Sequence, residues 1–561
     1  MNSIRRSILP VLILVLAAAS ASAAAPLRGD DQALAAKIDE ILNPTFKTGE
    51  PGAALLIQKD GRTLVRKGYG MADLELGIPV DPDMSFRLGS VTKQFTAVAI
   101  LMLEEQGKLS VKDPIEKYLP DYPTQGKAIT IENLLTHTSG IKDYTSLPEW
   151  LPLWRKDMTV SEVIALSKDK PMDFGPGEHW KYCNSGYILL GAIIEKVSGE
   201  TYENFIQKHI FDPRKMTHSY YGSASRILPR RIPGYQKEGD VYINAPYLSM
   251  TQPYAAGSLL SSVDDMALWY AALAENKLIK KESLEKAWTP FKLNDGSNSG
   301  YGYGWESMTY KGHRLIEHGG GIMGFTTYAM IFPEDKMILV MLTNSAIAGR
   351  APEPFAVKIA EAALGLKADE FKPAPLAGKD LAPLPGVYAN WEKNEIAITR
   401  SGATIAFQSA GAEKRDLVPL GPRAFVLPEG PLRFVFETDA KGAVTAFSII
   451  RRSGLADRFI RTAKPLPVER KAVTLDPKIL DRYAGEFTVT PAFKLVITVE
   501  NGHFLAQATG QPKFELFAES ETRFFLKVVD AQVEFQLDAG GKVTGLILFQ
   551  GGQKIPAQKT K

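Results

Sequence analysis

The sequence predicts an α+β domain followed by two small, all-β, barrel-like repeats. Between residues 30 and 366, strand patterns come first, helix patterns fill the middle, and a hairpin and a helix close the segment. This order predicts an antiparallel sheet flanked by helices, with a helical subdomain. Residues 367–385 are rich in Pro and Lys and predict a linker. Beyond them, short alternating strands recur at an interval of 99 residues, which indicates a repeated unit.

The composition is that of an ordinary folded protein. The chain has 561 residues, of which 45% are hydrophobic and 23% charged. A formal net charge of +3 without a concentrated basic patch argues against a nucleic-acid partner. The single cysteine, Cys183, excludes an intramolecular disulfide, so the fold must rest on its core, for which the length is ample.

The start of the chain predicts an exported protein. Residues 1–23 read as a secretory signal, with Arg5 and Arg6 before an apolar segment and Ala21-Ser22-Ala23 as a cleavage site. An uncleaved membrane anchor is the alternative, but the apolar run is short and Pro10 breaks it. We therefore expect a periplasmic or secreted protein with no stable membrane span after signal removal.

Within the first domain, apolar patterning and turn residues predict the main elements. A two-stranded hairpin opens the domain, helices follow in the middle, and a second hairpin and an amphipathic helix end it. The strands are predicted at 53–58, 63–70, 326–332 and 337–343, and helices at 129–135, 187–197 and 354–364, the last two ending at Gly199 and Gly365.

Ser90-Val91-Thr92-Lys93 is the first candidate catalytic motif. Ser90 and Lys93 share one face at the start of a predicted helix, whose apolar face runs to a stop at Gly107. A serine hydroxyl is a weak nucleophile until a base takes its proton, and a neutral lysine amine within reach can be that base. The helix N-terminus adds a positive end near a developing oxyanion. A lone Ser-x-x-Lys is usually a solvated surface pair, so the case depends on further motifs.

Tyr182-x-Asn184 is the second candidate motif. It follows the loop-forming residues 174–177, and its outer residues are expected to point the same way. The phenol can exchange a proton with the serine or the leaving group, and the amide can hold a substrate carbonyl. Cys183 between them is interpreted as a small buried filler.

His318-Gly319-Gly320-Gly321 is the third motif and precedes the second hairpin. Glycines here let a substrate backbone approach closely, so His318 and Gly320 are predicted substrate-binding residues. An N–H in this stretch, most plausibly that of Gly321, could join the N–H of Ser90 in an oxyanion hole.

The three motifs and their order resemble those of the serine β-lactamase and penicillin-binding-protein family. They are Ser90-x-x-Lys93, Tyr182-x-Asn184 and His318-x-Gly320. The resemblance is closest to its class C branch, which includes D,D-peptidases, D-aminopeptidases and esterases. It spans roughly residues 30–365 and includes the phrases at 135–140 and 256–259.

The resemblance implies an acyl-enzyme hydrolase that needs neither a cofactor nor a metal. It implies Ser90 as nucleophile, Lys93 and Tyr182 as proton carriers, and Asn184 as a substrate contact. Ser90 and Gly321 would donate to the oxyanion. Some members of the family carry one or two C-terminal β-barrels, similar to the repeats here. The expected substrate is a small molecule or a short peptide; its identity and the oligomeric state are not indicated.

One departure from the family pattern bears on the substrate. The β-lactamases usually carry Lys-Thr-Gly as the third motif, and this chain has His-Gly-Gly from His318. A histidine is often neutral at pH 7, so a β-lactam carboxylate loses a fixed cation. We expect a poor β-lactamase and a better hydrolase of D-amino-acid peptides, amides or esters. We also expect carboxylate binding to improve as the pH falls through the titration of this histidine.

Other interpretations are weaker. A true β-lactamase and a non-catalytic receptor for penicillin or cell-wall peptides remain alternatives. His-Gly-Gly-Gly also resembles the oxyanion strip of α/β-hydrolase lipases, but no G-x-S-x-G follows it. The seven histidines form no H-E-x-x-H motif. A structural role is favoured for His137, and His179 and His313 are predicted at the surface.

The C-terminal repeats are assigned to residues 386–465 and 475–561. Positions 99 residues apart carry the same or similar residues, namely Gly386/Gly485, Tyr388/Phe487, Ile398/Ile497, Phe425/Phe524, Phe436/Phe535, Asp439/Asp538, Gly442/Gly541, Val444/Val543 and Thr445/Thr544. Each unit is too small for a large open sheet and suits a small closed barrel, which leaves no exposed edge. Neither contains a catalytic constellation, so they are interpreted as accessory modules.

Overall fold

The computed structural model describes residues 29–367, 372–374, 376–409, 412–427, 432–466, 470–490, 493–500, 502–509, 513–527, 531–550 and 553–560. The predicted signal at residues 1–23 lies outside this part of the chain. Within it, no helix combines the length and the apolar character that a bilayer crossing requires.

The helices lie mainly in the first domain. In chain order they are α1 Gly29–Leu42, α2 Thr92–Glu105, α3 Ile131–Leu135, α4 Val160–Ala165, α5 Asn184–Ser198, α6 Tyr202–Ile206, α7 Asp212–Arg214, α8 Tyr254–Gly257, α9 Val263–Ala274, α10 Lys281–Trp288, α11 Pro352–Leu364, α12 Gly378–Leu381 and α13 Pro477–Asp481. The last two precede the barrels.

The strands of the first domain build one large sheet and three small ones. They are β1 Ala53–Lys59, β2 Arg62–Tyr69, β3 Met71–Asp73, β4 Ile78–Pro79, β5 Phe86–Arg87, β6 Tyr220–Tyr221, β7 Tyr235–Glu238, β8 Val241–Asn244, β9 Leu259–Ser261, β10 Glu306–Tyr310, β11 His313–Ile322, β12 Phe325–Phe332 and β13 Met337–Thr343. The large sheet has the antiparallel order β10-β11-β12-β13-β1-β2, and β5, β9 and β6 form a three-stranded sheet.

Both faces of the large sheet are covered, which explains its apolar central strands. Along β1, Ala53, Leu55 and Ile57 pack with α1 and α11 on one face. Ala54 and Leu56 pack into the larger core around α2 and α5 on the other. Because successive side chains of a strand alternate between faces, a strand buried on both sides reads as continuously hydrophobic.

Both predicted hairpins and the predicted helix ends are confirmed. The turn between β1 and β2 places Asp60 and Gly61 at positive φ, and Gly107, Gly199 and Gly365 also adopt positive φ beyond their helices. Glycine tolerates this left-handed conformation without steric cost. The predicted α+β class with a helical region is likewise confirmed.

The repeats form two closed barrels of eight antiparallel strands. The first has β14 Gly386–Ala389, β15 Glu395–Ser401, β16 Thr404–Ser409, β17 Arg415–Gly421, β18 Ala424–Val426, β19 Arg433–Thr438, β20 Val444–Ile450 and β21 Ala456–Arg461. The second has β22 Gly485–Thr490, β23 Phe493–Glu500, β24 His503–Ala508, β25 Lys513–Ala518, β26 Arg523–Leu526, β27 Ala531–Leu537, β28 Val543–Gln550 and β29 Gln553–Lys559.

The residues matched by the repeat are the structural residues of each barrel. The matched aromatic side chains are buried in both cores: Tyr388, Phe425 and Phe436 in the first, Phe487, Phe524 and Phe535 in the second. In the first barrel, Asp439 Oδ1 accepts from the N–H groups of Lys441 and Ala443 at 2.9 Å. Asp538 Oδ1 accepts in the same way from Gly540 and Lys542 at 2.9 Å. The repeat therefore encodes one core and one turn, used twice.

Candidate active site

Ser90 lies in a short 3-10 turn, Gly89–Val91, that leads directly into α2. Gly89 has φ +53°, and a Cβ at this position would lie 3.0 Å from the nitrogen of Gly321. The turn is held on both sides, because Leu88 N donates to Leu259 O at 2.8 Å and Thr327 Oγ1 donates to Leu88 O at 2.8 Å. The serine turn is thus pressed against β11 and β12.

Lys93, the base that the sequence predicts, is fully buried next to Ser90. Its Nζ lies 2.9 Å from both Asn184 Oδ1 and Ala256 O, and 3.2 Å from Ser90 Oγ. Burial lowers the pKa of Lys93 to about 7, although the nearby Asp143 carboxylate opposes this shift. A neutral amine has two N–H donors and one lone pair. In that form the amide and carbonyl oxygens can take the two donors, which leaves the lone pair for the serine hydroxyl; the charged form donates to all three oxygens.

Tyr182 is the second proton carrier that the sequence predicts, and it faces the same serine. Lys93 Nζ lies 4.7 Å from the centroid of its ring. Burial raises the pKa of Tyr182 while the neighbouring Ser90 hydroxyl counteracts it, so the phenol keeps its proton at neutral pH. Among the described residues, its buried hydroxyl has no partner that meets hydrogen-bond geometry. The phenol is therefore in the protonated form, which can donate a proton.

His137 packs against Tyr182 and binds the backbone of Cys183. Its ring lies 4.3 Å from that of Tyr182, and its Nδ1 accepts from the Cys183 N–H at 3.1 Å. The backbone of His137 is left-handed, with φ +60°, an unusual conformation for a residue with a side chain. Burial and the charge of Lys93 lower its pKa well below the ordinary range, so the ring is neutral. Cys183 is buried, as predicted.

Asn184 begins α5, and its side chain is engaged at both ends. Its Oδ1 accepts from Lys93, and its Nδ2 donates to Thr145 Oγ1 at 3.2 Å. Asp143 Oδ1 accepts from the Asn184 N–H at 2.9 Å and so caps the start of this helix. Helix α5 consequently begins three residues before the position predicted from apolar patterning.

His318 lies where the third motif predicts it, and its side chain is buried. Its Nε2 lies 2.8 Å from Tyr301 Oη and its Nδ1 lies 2.5 Å from Gly319 O. Burial, aided by the charge of Lys93, lowers the pKa of His318 to about 3. This low pKa argues against the expectation that carboxylate binding improves as the pH falls through the titration of this histidine, because the imidazole would stay neutral at ordinary pH.

Gly320 and Gly321 bring β11 against the serine turn. A Cβ on Gly320 would lie 2.1 Å from Leu88 O and 2.3 Å from Thr327 Oγ1, so only glycine fits there. A Cβ on Gly321 would meet nothing within 4 Å. Gly320 therefore sets the close approach of strand and turn, and Gly321 adjoins Gly89 at the predicted oxyanion position.

All the site residues predicted from the sequence converge on this one region. Two contributors were missed: Asp143, whose carboxylate lies near Lys93 and caps α5, and Tyr301, which contacts His318. Asp143 and Tyr301 belong to no recurrent spacing, so the sequence carried no signal for them.

A six-stranded antiparallel sheet flanked by helices, with a Ser-x-x-Lys turn facing Tyr-x-Asn and a Gly-rich strand, defines the class of the serine β-lactamases and penicillin-binding proteins. The family described as Beta-lactamase matches residues 31–363, and the chain belongs to this family. A second match, to a domain of unknown function (DUF3471), covers residues 469–559, the second barrel.

Known relatives are similar over most of their length. A penicillin-binding protein of Bacillus subtilis (strain 168) is 28% identical over 434 residues, which cover 73% of this chain and 94% of the relative. The octameric penicillin-binding protein homologue from Pyrococcus abyssi has a TM-score of 0.54 and 29% identity, covering 77% of this chain and 99% of that one. A D-stereospecific amidohydrolase from Streptomyces sp. has a TM-score of 0.50 and 26% identity, and the match covers 59% of this chain and 99% of that one.

Proposed function

We propose that this protein is a serine hydrolase that cleaves amide or ester bonds through an acyl-enzyme on Ser90. The observation that carries the proposal is the environment of Lys93. Its Nζ has two fixed oxygen acceptors at 2.9 Å, and its remaining position faces Ser90 Oγ at 3.2 Å. A lysine whose pKa is lowered to about 7 next to a serine has a neutral fraction that can activate the hydroxyl nucleophile.

The reaction follows from this geometry. Ser90 Oγ attacks the substrate carbonyl carbon while its proton moves to Lys93 Nζ. The N–H groups of Ser90 and Gly321 receive the developing oxyanion. The bond to the leaving group breaks, and the amine or alcohol takes up a proton through the Tyr182 hydroxyl. Water then attacks the acyl carbon and gives a proton to Lys93 Nζ; the ester bond to Ser90 breaks, Ser90 Oγ takes that proton back, and the free acid leaves.

We assign D-amino-acid peptides, amides or small esters as the substrate class. The neutral His318 offers no cation for a β-lactam carboxylate. The similarity to a D-stereospecific amidohydrolase agrees with this assignment. A β-lactam can still acylate Ser90 through ring strain, so we expect slow acylation and slower release, and hence weak inhibition.

Parallel kinetics with a chromogenic ester, a D-aminoacyl amide and its L-enantiomer, and a cephalosporin test the proposal. We expect turnover of the ester and the D-amide, and poor turnover of the cephalosporin. A kcat/KM for the cephalosporin well above the other values would make the protein a β-lactamase. Binding of all the compounds without turnover of any would make it a receptor.

We also propose that the protein acts outside the cytoplasm. The support is the basic-apolar-small pattern of residues 1–23. Fractionation of producing cells, with N-terminal sequencing of the mature protein, tests this: the expected first residue is Ala24. Full-length protein confined to the cytoplasmic fraction would contradict it.

A further inference from the structure

The first barrel places one arginine behind the strand that carries the third motif. Arg452, in the turn between β20 and β21, donates from Nη2 to Glu317 Oε1 at 2.7 Å and to Tyr328 Oη at 2.6 Å. The same nitrogen lies 3.0 Å from Glu353 Oε1 at the start of α11. The side chains of Arg452 and Glu317 are 8% and 3% exposed, so this is a buried ion pair between two domains.

The two residues that Arg452 holds are those that support the His318–Gly321 stretch from behind. Glu317 directly precedes His318 along β11, and Tyr328 pairs with Gly319 across the β11–β12 ladder. The Tyr328 ring packs on Gly319, where a Cβ would lie 3.2 Å from it. Because side chains alternate along a strand, Glu317 faces the barrel while His318 and Gly320 face the serine turn.

A second turn of the same barrel, between β14 and β15, contacts the segment that directly precedes the second motif. Trp391, between β14 and β15, stacks on His179 with ring centroids 4.3 Å apart and an interplanar angle of 3°. The next residue, Glu392, forms an ion pair with Lys181, which directly precedes Tyr182. The barrel thus covers part of His179, which remains partly exposed at the surface. The barrel therefore contacts the residue before Tyr182 and the residue before His318.

Glu317 is surrounded by charged groups that affect its protonation or that of its neighbour Glu306. Glu306 pairs with it across β10 and β11, and Glu353 approaches from α11. Burial raises the pKa of Glu317, and Arg452 counteracts the shift. Arg451 and Arg452 also lower the pKa of Glu306, which burial and Glu317 raise to about 7. Two neighbouring carboxyl groups thus lie behind the site, with arginines of the barrel as their counter-charges.

We propose that Arg452 is a positioning residue for catalysis: by neutralising Glu317 behind β11, the first barrel holds the His318–Gly321 stretch in place against the serine turn. Without Arg452, a buried carboxylate loses its cation and turns toward water, taking the strand with it. The first barrel then belongs to the catalytic machinery, although it contributes no group that touches the substrate.

The proposal rests on the acyl-enzyme chemistry above and is tested on the full-length chain. The readout is the rate at which a phosphonate labels Ser90. We expect Arg452→Met to slow labelling by about tenfold or more, because small displacements of an oxyanion donor are costly. The double variant R452M/E317Q should return to within about threefold of the wild type, since a neutral glutamine can stay buried.

A matched control separates this effect from general loss of an ion pair. Arg458→Met removes an arginine of the same barrel whose partner, Glu437, is 2.8 Å away in that barrel, and it should label like the wild type. For Arg452→Met, the deficit relative to the wild type should grow as the pH rises and Glu317 loses its proton. A purely structural role would give no such dependence.

The outcomes are distinguishable. Equal labelling of Arg452→Met and the wild type, or a double variant as slow as the single one, overturns the positioning role. If Arg452→Met does not fold, Arg452→Gln serves for the same rate and pH comparison, with the same criteria. A wild-type protein that no phosphonate labels would overturn the proposed function instead.

Discussion

At the scale of single residues, the rate of acylation depends on the fraction of Lys93 that is neutral. Burial lowers its pKa to about 7, and Asp143 holds it from falling further. Because the neutral amine is the active form, the acylation rate should rise by about tenfold per pH unit below this value and level off above it. Stopped-flow acylation with an ester substrate measures the profile.

Asp143→Asn tests the cause of that profile. The amide oxygen can still cap α5, but the negative charge near Lys93 is gone. The midpoint of the acylation profile should therefore move to lower pH. An unchanged midpoint would show that the Asp143 charge does not act on Lys93.

Lys93 and Tyr182 should behave as one unit around Ser90. Both approach the same hydroxyl, and removal of either breaks the same proton transfer. We expect Lys93→Ala and Tyr182→Phe each to reduce kcat/KM by about 10³-fold or more, and the double variant to be little worse than the poorer single one. Losses that simply multiply would argue against a shared proton network.

His318 should remain neutral at every pH used for assay. With a pKa of about 3, its ring resonances should not titrate between about pH 8 and about pH 5, and cephalosporin binding should not strengthen through this residue over that range. Nuclear magnetic resonance of the imidazole protons measures this directly. A titration near the ordinary histidine value would mean that the ring is more solvated than its contacts with Tyr301 and Gly319 indicate.

The sequence predicted the motif residues because each motif is compact. Ser90 and Lys93, or Tyr182 and Asn184, are close along the chain, and their chemistry is visible in their spacing. The residues that tune them are distant in sequence: Asp143 lies 41 positions from Asn184, and Tyr301 lies 17 from His318. Side-chain contacts across such separations leave no periodic signal.

At the scale of elements, the close approach of β11 to the serine turn depends on Gly320 having no side chain. Gly320→Ala would place a methyl group 2.1 Å from Leu88 O, a backbone atom that cannot move away easily. We expect a loss of about 2–3 kcal/mol in the free energy of unfolding, together with slow acylation. Gly321→Ala is the matched control, since its methyl group meets nothing within 4 Å, and it should unfold like the wild type.

Denaturant unfolding of the two variants decides this prediction. Equal stabilities would mean that the strand can shift away from the turn without cost.

The long strands β1, β12 and β13 were predictable because both faces are buried. The short strands β5, β6 and β9 have two or three residues each, and only tertiary contacts create them.

At the scale of the whole molecule, two barrels of the same fold have different relationships to the catalytic domain. The first inserts Arg452 and Glu392 behind the active-site motifs. The second is joined to the first by a hydrogen bond of 2.8 Å from Gln408 Nε2 to Lys527 O. The 99-residue repeat predicts that both barrels exist, but identical spacing carries no information about where each one docks.

Truncation should therefore have unequal effects. A chain that ends at Leu466 lacks the second barrel and should keep the acylation rate and the unfolding transition of the first domain. A chain that ends at Gly365 also loses Arg452 and the barrel surface that covers Glu317, so we expect slower acylation and a less stable first domain. Calorimetry of both chains measures this, and equal stability of the first domain in the two would contradict it.

The central claim is that Ser90 becomes covalently acylated, and intact-mass spectrometry with peptide mapping tests it most directly. The wild-type protein, treated with an activated ester or a phosphonate, should gain one adduct, and mapping should place it on Ser90. The Ser90→Ala variant should gain none and should lose nearly all turnover. Equal labelling of the two proteins, or an adduct on another residue of an active enzyme, would contradict the account.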